Sequence, residues 1–164
     1  MLPTQEEIHK YFIYIPETGV FLNRITRSNQ AKEGHQSGCV DQTGYIYIYF
    51  KMTRLLAHRM AWMYMYGIEP DGQIDHINGD RTDNRIANLR VSTAHQNARN
   101  RGLSKNSSTG FKNISWNAER GSWEVSIKMN GKKAFFKRFK ILQEAQRAAI
   151  SAREELHGEF ANHG

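Results

Sequence analysis

The chain has a single cysteine, Cys39, among 164 residues. One thiol excludes an intramolecular disulfide and any zinc site built from several cysteines. There is no run of about 20 apolar residues, the length a membrane-spanning helix requires. The N-terminus lacks the charged-then-apolar pattern of an export signal. The expectation is a soluble, cytoplasmic protein with no membrane partner. Acid is short in one half only. Residues 1–100 hold 11 Lys/Arg and 10 Asp/Glu, a net of +1, whereas residues 101–164 hold 12 and 6, a net of +6. A basic block favours a polyanionic partner. The length leaves room for one medium domain or two small ones.

What is present is concentrated between Gln73 and Asn97. The run Gln73-Ile74-Asp75-His76-Ile77-Asn78-Gly79-Asp80 is followed by Asn88-Leu89-Arg90 and His95-Gln96-Asn97. Cutting a phosphodiester requires a base to activate water and positive charge on the oxygens that gain charge. Asp75 offers a carboxylate and Asn97 an amide oxygen. Both are hard donors of the kind Mg²⁺ prefers. His76 offers a base whose ordinary pKa lies near neutrality. Gln73–Ile77 reads as a short strand, Asn78-Gly79 as a turn and Asp80–Ala87 as a loop. Leu89–Val91 reads as a second strand, and a helix capped by Ser92 or Thr93 runs from Ala94 to Arg101. Neighbouring strand residues point to opposite faces, so Asp75 and His76 reach one point only if the strand end twists or bulges.

These residues resemble the HNH nuclease motif, a ββα-metal fold, in the His-Asn-Asn form of phage and intron-encoded homing endonucleases. Ile-Asp-His-Ile-Asn-Gly-Asp and Asp83-Asn84-Arg85 belong to the same likeness. The resemblance implies that Asp75 is a metal ligand, His76 the general base and Asn97 the second ligand. It makes Asn88 the residue that pins the loop and so helps to orient the base. One divalent ion is implied, Mg²⁺ first and Mn²⁺ as its substitute, and no structural zinc. Taken alone, Asp80, Asp83 and Asn84 read as turn formers. His95, two residues before Asn97, reads as a phosphate-facing or supporting residue rather than a ligand.

The N-terminal third frames this motif. Residues 4–14 read as a helix with Thr4 and Glu7 as a capping box, ended by Pro16–Gly19. Val20–Asn23 reads as a strand and residues 26–44 as a loop with short strands. Tyr45–Phe50 reads as a strand with tyrosines on one face, which either pack or stack on bases. Arg54–Tyr66 reads as a helix that is apolar nearly all round. Its Ala57-His58-Arg59 resembles the Ala-His-Arg that precedes many phage HNH motifs. His58 either braces the site, touches a phosphate or sits at the core edge.

Gly102–Gly110 is polar and reads as a linker, with Lys105 able to follow a DNA backbone. Beyond it, Phe111–Asn117, Ser122–Met129 and Lys132–Phe139 read as three strands, with Asn130-Gly131 as a hairpin turn. A helix follows from Gln143 to His157, with an alanine stripe at Ala145, Ala148, Ala149 and Ala152. Gly110-Phe111-Lys112, Ile114-Ser115-Trp116, Asn130-Gly131-Lys132-Lys133 and Leu156-His157-Gly158 resemble the DNA-binding domain of the Apetala-two/ethylene-response-factor family. That likeness implies DNA-facing roles for Lys112, Ser115, Asn117, Ser126, Lys128, Lys133 and Phe135. Phe136-Lys137-Arg138-Phe139 departs from the family's Leu-Gly-X-Phe turn.

The sequence therefore predicts an α+β protein. A nuclease domain covers residues 1–101 with its core at about 70–101, a linker 102–110, and a DNA-binding domain 111–164. The expected activity is a site-preferring, metal-dependent DNA endonuclease of homing type that leaves 5′-phosphate and 3′-hydroxyl ends, acting by nicking. The partner is double-stranded DNA and the protein a monomer or weak dimer. The rival reading is an inactive nuclease fold serving as a DNA-binding regulator. A sugar-nonspecific nuclease has no need of the C-terminal module.

Overall fold

The computed structural model describes residues 2–100, 102, 103, 107 and 109–163, and the backbone alone of His95, Ala98 and Arg99. The chain falls into two compact units, Met1–Ala94 and His95–Gly164. The expected linker lies partly outside the described residues, and Lys105 and Arg101 lie wholly outside them. Among the described residues no helix is long and apolar enough to cross a membrane.

Helix α1 (Gln5–Tyr11) starts at the capping box read from the sequence. Glu7 N donates to Thr4 Oγ1 and Thr4 N donates to Glu7 Oε2, each at 3.2 Å. It ends at Tyr11, not at residue 14. Phe12–Ile15 becomes strand β1 and pairs antiparallel with β2 (Val20–Asn23) around the Pro16–Gly19 turn. Phe12 and Tyr14 are buried while Ile13 is exposed, a period of two that a helix would break. Gly19 has φ 72, and a Cβ there would lie 2.4 Å from the backbone of Asn84 and Arg85. Glycine at this turn therefore lets the first hairpin touch the later loop.

Strand β3 (Gln36–Ser37) completes the first sheet, and β4 (Cys39–Val40), β5 (Ile46–Phe50) and β6 (Thr53–Leu56) form a second. The β5–β6 turn is Lys51-Met52, with φ 46 and φ 61. These are the two left-handed residues of a type I′ hairpin, here without the usual Asn-Gly signal. Residues 54–56, expected as the start of a helix, instead belong to the paired strand β6, with Leu55 buried opposite Ile48. Helix α2 (Ala57–Tyr66) begins where pairing ends and stops at Gly67, which caps it at φ 69. Ile8, Phe12, Phe21, Ile48, Phe50 and Met60 form the core of this unit, and Ile74 and Leu89 join it from the next hairpin. That hairpin is β7 (Gln73–His76) against β8 (Leu89–Ser92), a two-stranded antiparallel sheet.

Helix α3 (Ala94–Arg99) leads into the second unit. There β9 (Ile114–Asn117), β10 (Ser122–Met129) and β11 (Lys132–Phe139) form a meander with β10 central. β9 starts at Ile114 and not at Phe111, because Asn113 takes φ 65. Helix α4 (Leu142–His157) lays Ala145, Ala149 and Ala152 in the interior, with Ala145 and Ala149 against Ile114 and Val125. Small side chains allow that close approach.

Candidate active site

Ile74, Asp75 and His76 are all buried, although strand neighbours face opposite ways. Asp75 stands opposite Arg90 in the β7–β8 ladder. Its Oδ2 accepts from Arg90 Nε at 3.0 Å and Nη2 at 2.8 Å, a forked pair with both side chains largely out of water. His76, opposite Leu89, turns its ring the other way. Its Nε2 lies 3.1 Å from Asn84 Oδ1. Asn84 Nδ2 faces the Thr82 carbonyl at 3.4 Å, which orients the amide with its oxygen toward the ring. A carbonyl oxygen only accepts. Nε2 therefore carries the proton, and the lone pair of the neutral imidazole is on Nδ1.

Burial pushes His76 below the usual histidine range, against the Asn84 hydrogen bond and the charges of Asp75, Asp80 and Asp83, which pull it up. A neutral imidazole at neutral pH is the form a base requires. His58, near the start of α2, packs edge-on to the His76 ring at 5.2 Å, and Tyr45 lies 5.3 Å from His58 and 6.0 Å from His76. His58 is 5% exposed, and its Nδ1 has no hydrogen-bond partner among the described residues. Burial, with smaller contributions from His76 and Arg59, pushes it down to about 3. The structure buries His58 edge-on against the His76 ring.

The loop between the strands is clamped by Asn88. Its Oδ1 accepts from Asn78 N at 3.0 Å, and its Nδ2 donates to Asn78 Oδ1 at 3.0 Å and to the Asp83 carbonyl at 2.8 Å. Asp80 bonds Thr82, a turn-forming role. Asp83 holds Arg85, whose hydrogen bonds keep the Asp83 carboxyl down to about 2. Asn84, taken from sequence as a turn former, is 1% exposed and bonded to His76. Its own carbonyl accepts from Tyr14 Oη at 2.7 Å, and burial raises that phenol's pKa. Sequence reasoning missed Asn84, Tyr14 and Arg90. The only signal for Asn84 was its place in the Asp83-Asn84-Arg85 run.

Asn97 is half-buried on α3 and belongs to the second unit. The side chain of His95 lies outside the described residues. Asp75 and Asn97 are hard oxygen donors, whereas Cys39 is an exposed residue of β4. Arg90 holds one carboxylate oxygen of Asp75, and a carboxylate offers about four lone-pair sites. That donor chemistry fits a hard cation that keeps most of its waters.

The HNH endonuclease family matches residues 55–99. Protein 3.8 of Escherichia phage T7 is 34% identical over 105 residues, which is 63% of this chain and 86% of that protein. Residues 55–99 are therefore an HNH endonuclease domain. An uncharacterized HNH endonuclease of Acanthamoeba polyphaga mimivirus is 33% identical over 94 residues, 57% of this chain and 48% of the mimivirus protein. No solved structure matches the chain. The HNH match takes in α2, with His58, and β7, β8 and α3. Tyr14, Gly19 and Tyr45 lie before it.

In the second unit, register puts Ser115 opposite Glu124 and Asn117 opposite Ser122, so Ser115, Asn117 and Ser126 share one face with Glu124 and Arg138. Asn117 Nδ2 donates to Glu124 Oε1 at 3.1 Å, and Arg138 Nε donates to the same oxygen at 2.8 Å. The β10–β11 register shifts between Ile127 and Lys128. Beyond that bulge Lys128 faces Lys133 on the open side, and both are exposed. Phe135 is a correction. Expected beside Lys133 on the open face, it pairs with Ile127 and packs on the core, because the bulge reverses the alternation. Phe136 is the exposed aromatic instead. Lys112 is half-buried, and burial, then the charge of Arg153, pushes its amine down to about 8.

Proposed function

We propose that this chain is a metal-dependent DNA endonuclease of homing type that hydrolyses phosphodiester bonds to 5′-phosphate and 3′-hydroxyl ends. The observation that carries the reading is His76, buried, neutral and tied through Nε2 to Asn84. His76 Nδ1 takes the proton of the attacking water. Asn84 keeps the ring in that tautomer, His58 limits its rotation, and Asn88 holds the loop that carries Asn84. Asp75 and Asn97 would hold one divalent ion, Mg²⁺ with Mn²⁺ as substitute, which when bound supplies positive charge to the phosphate and the departing oxygen. One HNH site per chain makes a single-strand nick the default product.

The three-stranded sheet of the second unit is read as an Apetala-two-like DNA module. Ser115, Asn117, Ser126, Lys128 and Lys133 share its open face, and Lys112 lies beside it. Two lysines directly opposite repel each other, and a phosphate between them would remove the repulsion. The module supplies affinity chiefly through phosphates, and its partner is double-stranded DNA.

One observation favours the second reading, a DNA-binding regulator with an inactive nuclease fold: Arg90 already neutralises Asp75. Supercoiled DNA with Mg²⁺ or Mn²⁺, compared with EDTA and with His76→Ala, separates the two. Metal-dependent open circles that vanish in the variant support the nuclease. Intact binding with no cutting under either ion refutes it.

A further inference from the structure

The tyrosine face of β5 has no role in the chemistry above. Tyr45 precedes β5, and Tyr47 and Tyr49 alternate along it with the buried Ile48 and Phe50, so the tyrosines stand on the outer face. Alternate side chains on a strand follow one another at about 7 Å. One end of the row touches the active site, where the Tyr45 ring lies 6.0 Å from His76. Arg81 lies over Tyr45 at 4.8 Å and Arg54 over Tyr47 at 3.9 Å. The other end, Tyr49, is 63% exposed and opens on a cleft of about 740 Å³.

The guanidinium of Arg27 lines this cleft, stacked on Phe12 at 4.6 Å and Phe50 at 5.4 Å. Nη1 donates to the Tyr49 carbonyl at 3.1 Å and Nη2 to Asn23 Oδ1 at 2.7 Å. Nε is buried with no hydrogen-bond partner among the described residues. A buried donor left without an acceptor is uncommon in a native interior and calls for an explanation. Lys51 and Arg54 have carboxylate partners, Glu7 and Asp41. Arg27 and Arg81 make no ion pair among the described residues, and no described carboxylate lines the cleft. Between Val20 and Arg54 there are five Lys/Arg and two Asp/Glu, whereas residues 1–100 as a whole are near balance. An exposed ring at the end of a half-buried row, guanidinium groups over that row and an acid-free cleft beside the exposed ring are the parts of a single-stranded nucleic-acid platform.

We propose that an unpaired stretch of the DNA substrate runs along this row from His76 and ends with one nucleotide in the Arg27 cleft. Its base stacks on Tyr49, and its phosphate lies beside the Arg27 guanidinium that lines the cleft. The direction of the path rests on the nuclease reading, because it starts from the phosphate that His76 serves. The stacking itself does not.

The test uses the full chain carrying His76→Ala, without divalent ion. Anisotropy measures its affinity for a duplex and for the same duplex with a short unpaired segment containing 2-aminopurine. The expected result is preference for the unpaired DNA, with quenching of 2-aminopurine. Adding Tyr49→Ala weakens that binding roughly tenfold and abolishes the quenching, while Tyr49→Phe retains both. Tyr66→Ala, at an exposed tyrosine that ends α2 and does not line the cleft, serves as control and changes neither. Tyr49 is exposed, so its truncation leaves the core intact. Equal affinity for both DNAs, or a Tyr49→Ala protein that binds like its parent, overturns the proposal. Tyr49-dependent binding by a chain that cuts nothing with metal present would leave the platform standing and remove the nuclease reading. Cutting that is indifferent to Tyr49 would do the reverse.

Discussion

Acid should weaken the first unit through His58. In the unfolded chain this imidazole titrates near its ordinary value of 6.5, and in the fold at about 3. Above 6.5 both states are neutral and the group contributes nothing to the pH dependence. Below 6.5 the unfolded state binds the extra proton, so stability falls as pH falls, and the loss levels off below the folded value. At one pKa unit per 1.36 kcal/mol, lowering the pH from about 7 to about 4.5 costs about 2.5 kcal/mol from His58 alone. His76, also held down by burial, adds in the same direction. The perturbation that isolates His58 is His58→Phe, which retains a ring between Tyr45 and His76 and cannot titrate. The assay is urea unfolding at the two pH values, followed by the methyl resonances of Met60 and Ala61, both fully buried in this unit. The parent should lose about 2.5 kcal/mol more than the variant over that interval. Any constant offset between the two proteins cancels in this double difference. Parallel losses, within about 0.5 kcal/mol of each other, would mean that His58 is not buried neutral against His76. The brace assigned to it would then be wrong.

Three further outcomes follow from the geometry. Asn84→Leu leaves the Nε2–H of His76 without its acceptor; kcat on DNA should fall roughly ten- to hundredfold with little change in DNA affinity, and an unchanged kcat would remove Asn84 from the mechanism. Arg90→Gln removes the guanidinium that neutralises the buried Asp75 carboxylate, which should cost about 3–5 kcal/mol in thermal or urea unfolding; Mg²⁺ should restore part of the loss, and equal stability with and without the ion would argue against an ion at Asp75. Lys128→Ala with Lys133→Ala should lower the slope of log affinity against log salt by about 1.8, and a slope equal to the parent's would take the open face of the second unit out of DNA binding.

The elements that the sequence announced are those with local signals. Thr4 and Glu7 marked the start of α1, Asn130-Gly131 the β10–β11 turn, and the alternation from Trp123 to Met129 a strand. The errors arose where two periodicities fit the same letters. Residues 12–14 and 54–56 suit a helix by composition, and strand pairing across the chain decided against it. The turn that creates β6 is made by Lys51 and Met52, residues that carry no turn preference. Phe135 was misplaced because a bulge changes which face a residue takes without leaving a mark in the sequence. The candidate site divides in the same way. Asp75, His76 and Asn88 are legible because they lie close together in a fixed pattern. Asn84 reaches His76 across eight residues, Arg90 reaches Asp75 across fifteen, and Tyr14 reaches Asn84 across seventy. Contacts over such distances depend on how the loop is folded back, and spacing alone does not encode them.

The contact of Gly19 and Tyr14 with Asn84 bears on how the HNH domain could be taken out of this chain. The residues that match the HNH family begin at Leu55, yet the loop that sets the ring of His76 is held from the first hairpin of the chain. A fragment trimmed to the family motif would still contain Asp75, His76, Asn88 and Asn97, but nothing would press Asn84 toward the imidazole. Grafting the motif onto another scaffold would therefore have to carry the Phe12–Asn23 hairpin with it, or replace it with a surface that offers a hydroxyl donor and a glycine at the same two points.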